Sequence, residues 1–329
     1  MSTVKTYRAT IESTRLASSF RLLRGLCQAL LASWRDCWYE LFWVRTLWTV
    51  ATLLAVTVCL SAQLSGPRVE KIEDELEIPE SPGKLELLFG AVKITQFRDK
   101  SVTAAFLHSF LVRYALGPIG ILLSLAGCST LITGFLHSGM ACLVLTSPAN
   151  RWLTLLSRYI SGILICALYA GLFTVATAFA LAWSLECWPG IAFLSWGIYC
   201  CHLATFLGIS ILLGITGKHS ALVLAGTTLF WLICQLVNLT FWQAGFQNVE
   251  SFKLSGLTLA YWLLPKPADL TVLLDLASGA YQHFSLWPEL EWAWETGRLV
   301  AWASLISSIG VGLAAVTLAG HEFRSMELL

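Results

Sequence analysis

The stretch LGPIGILLSLAGCSTLITGFLHSGMACLVLTSPANRWLTLLSRYISGILICALYAGLFTVATAFALAW, residues 116–183, decides the fold. It is two apolar runs joined by Thr146-Ser147-Pro148-Ala149-Asn150-Arg151-Trp152. No Asp, Glu, Lys or Arg lies between Arg113 and Arg151, and none between Arg158 and Glu186. Uncharged runs of that length are membrane crossings rather than core helices, since a crossing takes about 20 apolar residues. The charges between the runs are Arg151 and Arg158, both basic, and short basic loops between spans stay in the cytoplasm. The stretch therefore predicts a transmembrane hairpin whose Pro-broken, Arg-bearing tip faces the cytoplasm.

Working outward, charge-free runs of comparable length occur at 46–67, 187–217, 219–249 and 299–321. The next longest, 276–288, falls below the roughly 17 residues that a crossing helix needs. The expected fold is an all-α integral membrane protein with six transmembrane helices in one domain, 46–320. The spans are placed at about 46–63, 116–135, 159–183, 191–213, 221–241 and 299–320. Composition agrees: 12% of residues are charged, against about 25% in soluble domains, and mean hydropathy is +0.70. Trp43, Trp48, Trp183, Trp188 and Trp242 sit near run ends, as interfacial belts do.

The N-terminal segment 1–45 is not a secretory signal, because its first apolar run begins only at Thr46. Within it Leu23, Leu26, Cys27, Leu30, Trp34, Trp38 and Leu41 recur at spacings of three and four. Arg21, Arg24, Gln28, Arg35 and Asp36 take another face. This is a basic amphipathic helix, expected to lie in the membrane interface; a buried soluble helix is the alternative. Two long polar segments, 66–110 and 242–298, are expected outside the membrane on the extracytoplasmic side. The second holds Leu254–Pro265 and Leu270–Tyr281, too short to span and suited to re-entrant or interfacial helices. With both termini cytoplasmic, the inner segments carry 11 of the 21 Lys/Arg and only 5 of the 20 Asp/Glu. The short tail 321–329 is on that inner side.

Several chemistries lack their residues. The net charge of +1 argues against a nucleic-acid partner. The ten cysteines form no metal or secreted-disulfide spacing, and those within apolar runs act as small hydrophobes. Gly217-Lys218-His219-Ser220 lacks the Ser/Thr directly after Lys and the first Gly of a P-loop, so no nucleotide or other cofactor is expected on this chain. No catalytic nucleophile with its base lies in a span, so the chain is not expected to be an enzyme. No carboxylate lies inside the six runs, which weakens an ion-coupled transporter. His202, Gln235 and Asn238 are the polar residues of interest there. They form either a polar path or hydrogen-bonded glue between helices. Ala167/Gly171, Ser308/Gly312 and Gly310/Ala314 are small-residue pairs that permit close helix approach.

The ordered set Gly134-Phe135-Leu136-His137-Ser138-Gly139, Leu143 to Trp152, and Leu156-Ser157-Arg158-Tyr159 resembles the membrane subunit of type-two ATP-binding-cassette (ABC) transporters. Ile211–Leu232 is similar to that family's fifth span, and Tyr261-Trp262-Leu263-Leu264-Pro265 to its loop before the last span. Many members carry acidic residues ahead of the Pro-Arg motif; residues 136–150 here have none. The resemblance implies a permease, in keeping with an exporter. Its substrate is unidentified, and the uncharged spans suit a lipid-like one. It implies a second permease subunit, homo- or heterodimeric, and a separate ABC ATPase as partners within the lipid bilayer. The membrane implied is the bacterial cytoplasmic (inner, plasma) membrane. Ser147, Pro148, Asn150, Arg151 and Trp152 would form the ATPase-coupling loop. The alternative is a membrane anchor or assembly factor that transports nothing.

The topology carries its own test. On a Cys-free background, Glu75→Cys should react with an impermeant maleimide from outside the cell; reaction only from the cytoplasmic side would overturn the layout.

Overall fold

A computed structural model describes part of 28–39, strands within 84–95, and residues 100–137, 151–185, 188, 192–247, 256–278 and 287–325. The first expected span, 46–63, and the loop residues Ser147, Pro148 and Asn150 lie outside the described residues. Among the described residues, nine helices follow a small antiparallel hairpin, β1 (Lys84–Leu87) and β2 (Val92–Thr95). The helices are α1 (Lys100–Ala115), α2 (Pro118–His137), α3 (Arg151–Leu185), α4 (Ala192–Gly217) and α5 (Ser220–Phe246). Then come α6 (Gly256–Leu263), α7 (Pro267–Ser278), α8 (Pro288–Glu295) and α9 (Ala301–Ser325).

Among the described residues, five stretches are long and apolar enough to cross a membrane: Phe106–Thr130, Arg151–Trp183, Leu194–Gly217, Ser220–Phe246 and Ala301–Ser325. The chain is thus a multi-pass membrane protein. The first of these runs through α1 into α2 across the turn Leu116–Gly117. Pro118 causes the break: it supplies no backbone N–H and is well placed only in the first turn of a helix. This crossing starts well before residue 116, so Arg113 and the end of the supposed outer loop belong to the bundle. The charge at Arg113 had hidden that.

α3 has 35 residues and measures about 52 Å, well beyond the roughly 30 Å of a hydrocarbon core. Of the described residues near the N-terminus, Gln28, Leu31, Ala32, Trp34–Asp36, Trp38 and Tyr39 are helical. Trp34 and Trp38 stack on each other, and Trp38 stacks in parallel on Tyr169 of α3 with centroids 6.4 Å apart. Tyr169 is 18 residues beyond Arg151, about 27 Å along α3. This turn of the amphipathic helix therefore meets the middle of α3 rather than its first turn.

α4 is the central helix: 67% of its apolar window is buried, against 22% for α5. Phe206, Leu203, Leu207, Ile211 and Ile215 are its most deeply buried large side chains. α9 reaches it through small residues. Ser304, Ser308, Gly312, Ala315, Ala319 and Gly320 line one buried stripe. At Gly312 a Cβ would lie 2.7 Å from the Thr205 Cα, and at Gly208 2.5 Å from the Gly312 carbonyl oxygen. The two backbones touch there, the purpose expected of Ser308/Gly312. Ala167/Gly171 serves differently: the Trp196 ring lies over Gly171 and its indole N–H donates to the Ala167 carbonyl at 2.7 Å. Around Gly310 there is open space.

Exposed apolar residues face outward from the outer helices, among them Leu172 and Phe179 on α3, Leu229 and Leu236 on α5, and Ile306 and Leu318 on α9. In a bilayer these faces meet lipid tails or other apolar helices. Consecutive crossings run in opposite directions, so the Lys218–His219 turn, the start of α3 and the end of α9 share one end of the bundle. Lys218 takes a left-handed conformation, φ 56°, which closes α4 and lets α5 begin two residues later.

Gly312→Ala should cost about 1–3 kcal/mol, because the added methyl meets backbone that has no rotamer to yield. A thermal-unfolding midpoint in detergent checks it; Gly310→Ala is the control and should be near neutral.

Candidate functional site

Two sites emerge, one at each end of the bundle. At the first, Arg151 and Trp152 occupy the opening turn of α3 rather than a loop tip. Arg151 Nη1 donates to the Arg324 carbonyl oxygen at 3.3 Å, at the last turn of α9. A cation there suits the negative end of that helix. Trp152 lies against Gly320, where a Cβ would meet its Nε1 at 2.5 Å. Arg158, two turns further, is buried. The start of α3 is therefore clamped to the end of α9.

The second site is one that charge counting missed. Segment 242–298 folds into α6, α7 and α8, and α7 lies almost wholly inside the bundle. Its entry signals are ordinary: Pro267 opens the helix and Asp269 sits in its first turn, where a carboxylate favours the helix dipole. Here the same Asp is fully buried. Asp269 Oδ1 accepts from Trp242 Nε1 at 2.7 Å. Its Oδ2 accepts from the Tyr261 hydroxyl at 2.8 Å and from Ser304 Oγ at 2.6 Å. These donors come from α5, α6 and α9. Three donors on two oxygens is the arrangement that an acceptor-only carboxylate takes.

Lys266 is buried one turn before Asp269. Its backbone N–H donates to Ser308 Oγ at 3.0 Å, its Nζ donates to Ser307 Oγ, and its ammonium lies 4.7 Å from the Tyr261 ring centroid and 4.6 Å from that of Trp262. Two aromatic faces thus take the place of hydration around the cation. Burial lowers the Lys266 ammonium below its ordinary value, opposed by Asp269. Burial raises the Asp269 carboxyl, opposed by the donors Ser304, Trp242 and Tyr261 and by Lys266. α6 is held in place by stacking: the Tyr261 and Phe241 rings are parallel with centroids 3.8 Å apart.

At the far end of α7, Asp275 Oδ2 lies 3.5 Å from Arg113 Nε on α1. Burial holds this carboxyl up at about 6, against the pull of Arg113. Beside it, Ser109 Oγ donates to the Ser278 carbonyl at 2.6 Å.

The residues singled out for a polar path lie along one seam that leads to Asp269. His202 is buried on α4, and its Nε2 accepts from Trp231 Nε1 at 3.3 Å. Gln235 follows on α5, with a buried Oε1 that has no partner among the described residues. Asn238 Oδ1 then accepts the backbone N–H of Asp269 at 3.0 Å. The seam thus joins His202, through α5, to the first turn of α7. The signal for its deep end was present in Lys266-Pro267-Ala268-Asp269, a helix start set between apolar pieces. Among the described residues no group of three or more His, Cys, Asp or Glu could hold a metal ion.

No protein-family model matches this chain, and no curated protein matches it either.

Asp269→Ala strands three donors in the core and should cost about 3–5 kcal/mol. Trp242→Phe removes one donor and should cost about 1.5–3 kcal/mol. Chemical denaturation in detergent micelles measures both, and a milder loss from the alanine than from the phenylalanine variant would contradict this accounting.

Proposed function

We propose that the chain is the permease subunit of an ABC transporter, energised by an ATPase on a separate chain. The observation that carries this reading is the clamp between Arg151–Trp152 and the end of α9, at the segment whose residues resemble the family's coupling motif. A soluble motor docking on 138–152 would act on α2 and α3 directly and on α9 through Arg151. A second permease chain would complete the path. The segment would face the cytoplasm, in line with its basic charge.

The seam of His202, Gln235 and Asn238 supports passage of a molecule with some polar character, while the outward apolar faces support a lipid-like one. We place the chain in a bacterial cytoplasmic membrane and the direction of transport as outward. No catalytic residue is assigned to this chain: hydrolysis belongs to the partner.

Arg151→Glu and Arg151→Lys test the coupling. The guanidinium is a planar, permanently charged fork that an ammonium does not reproduce. Arg151→Glu should insert normally yet lose co-purification with the ATPase or stimulation of its turnover, and Arg151→Lys should lose part of it. An Arg151→Glu protein that inserts, still binds an ABC ATPase and still supports transport would remove the coupling role.

A further inference from the structure

We propose that α7 is a strut that pivots at Asp269 and releases at Asp275. The proposal does not rest on what the chain carries across the membrane.

α7 has 12 residues and is about 18 Å long, so it crosses nothing. Its two ends are tied to different parts of the bundle. At the N-terminal end, Asp269 takes three donors from α5, α6 and α9, its N–H goes to Asn238, and Lys266 binds Ser307 and Ser308. At the C-terminal end, the ties are Arg113 to Asp275 and Ser109 to Ser278, both to α1.

The two carboxylates differ in the quality of their contacts. The Arg113–Asp275 approach is 3.5 Å, longer than the 2.7–2.9 Å or so of a strong charge-assisted hydrogen bond. Asp275 Oδ1 is buried with no partner among the described residues, so part of the desolvation cost of that carboxylate is uncompensated. At Asp269 both oxygens are engaged. A rigid rod joined to α1 at one end and to α5 and α9 at the other cannot follow both when they separate. The end with the poorer ties lets go, and α7 turns about Asp269.

The mechanical consequence follows from connectivity. α1 and α2 form one apolar crossing, and α2 leads directly into segment 138–150. A force on that segment travels along the crossing to Arg113, which holds α7 through the longer of its carboxylate contacts. Release there would uncover the side of α7 that faces α1 while leaving its start seated on Asn238, the deep end of the polar seam.

Thiol reactivity of the full-length protein in nanodiscs, where both faces are accessible, tests this. Ala268→Cys and Ala277→Cys are placed singly on a Cys-free background; both positions are buried and take a small side chain. In otherwise native protein the thiol from Ala277→Cys should react with maleimide about tenfold faster than that from Ala268→Cys, the ratio given by roughly 1.4 kcal/mol in opening free energy. Adding Arg113→Gln should raise the rate at position 277 several-fold and leave position 268 unchanged. Adding Asp269→Asn should raise position 268. Equal rates at the two positions in otherwise native protein, or an Arg113→Gln effect as large at 268 as at 277, would overturn the pivot. Because the first comparison needs no destabilising variant, a misfolded mutant leaves the test intact.

Discussion

A carboxylate buried among apolar helices must be surrounded by donors, and the architecture of the 256–325 region is the solution to that demand at Asp269. An isolated buried charge costs several kcal/mol even after relaxation. The chain meets it with an indole, a phenol and a serine hydroxyl, each from a different helix. That requirement fixes where α6 sits, since Tyr261 must reach Asp269 while stacking on Phe241. It fixes the height of α9, since Ser304, Ser307 and Ser308 must face α7. It also fixes the start of α7, whose first turn uses Asn238 as its cap from another helix. Trp, Tyr and Ser, at positions that would otherwise favour Leu, are the sequence's record of one buried Asp.

α9 connects this site to the opposite end of the molecule. Over 25 residues it offers serines to α7, then a glycine to the α4 backbone, then Gly320 and the Arg324 carbonyl to α3. A helix held by small residues at van der Waals contact transmits displacement along its axis, because no flexible side chain lies in between to absorb it. The clamp at Arg151 and the carboxylate at Asp269 are therefore two ends of one rod. α1–α2 forms a second path, from the segment 138–150 to Arg113. Both paths converge on α7.

Charge-free run length placed spans at about 159–183, 191–213, 221–241 and 299–320, and each falls on a stretch long and apolar enough to cross, 151–183, 194–217, 220–246 and 301–325. It failed where charge is buried in company. Arg113 ended a run on paper but sits within a crossing, paired with Asp275. Lys266, Asp269 and Asp275 marked 242–298 as a polar segment outside the membrane, with re-entrant or interfacial pieces, yet all three are buried. An unpaired charge favours water. Neutralised and hydrogen-bonded charges do not, and a single sequence does not show which charges find partners. The two short apolar pieces of that loop were legible as non-spanning helices, because length alone decides that. Their polar anchors were not, because Trp242, Tyr261 and Ser304 are brought together only by the tertiary fold.

The buried carboxylates change the ground on which ion coupling is weighed. Their apparent absence from the spans weakened that mechanism at the level of sequence; two are present inside the bundle, on a helix that does not span. What matters is then their engagement. A coupling carboxylate must be vacant in one state to receive its ion. Asp269 has both oxygens occupied by fixed donors and a cationic side chain one turn away, so an arriving cation would have to displace protein groups from three helices. Asp275 has one oxygen without a partner among the described residues but is held beside Arg113, whose charge opposes a second cation. Their chemistry is that of fasteners.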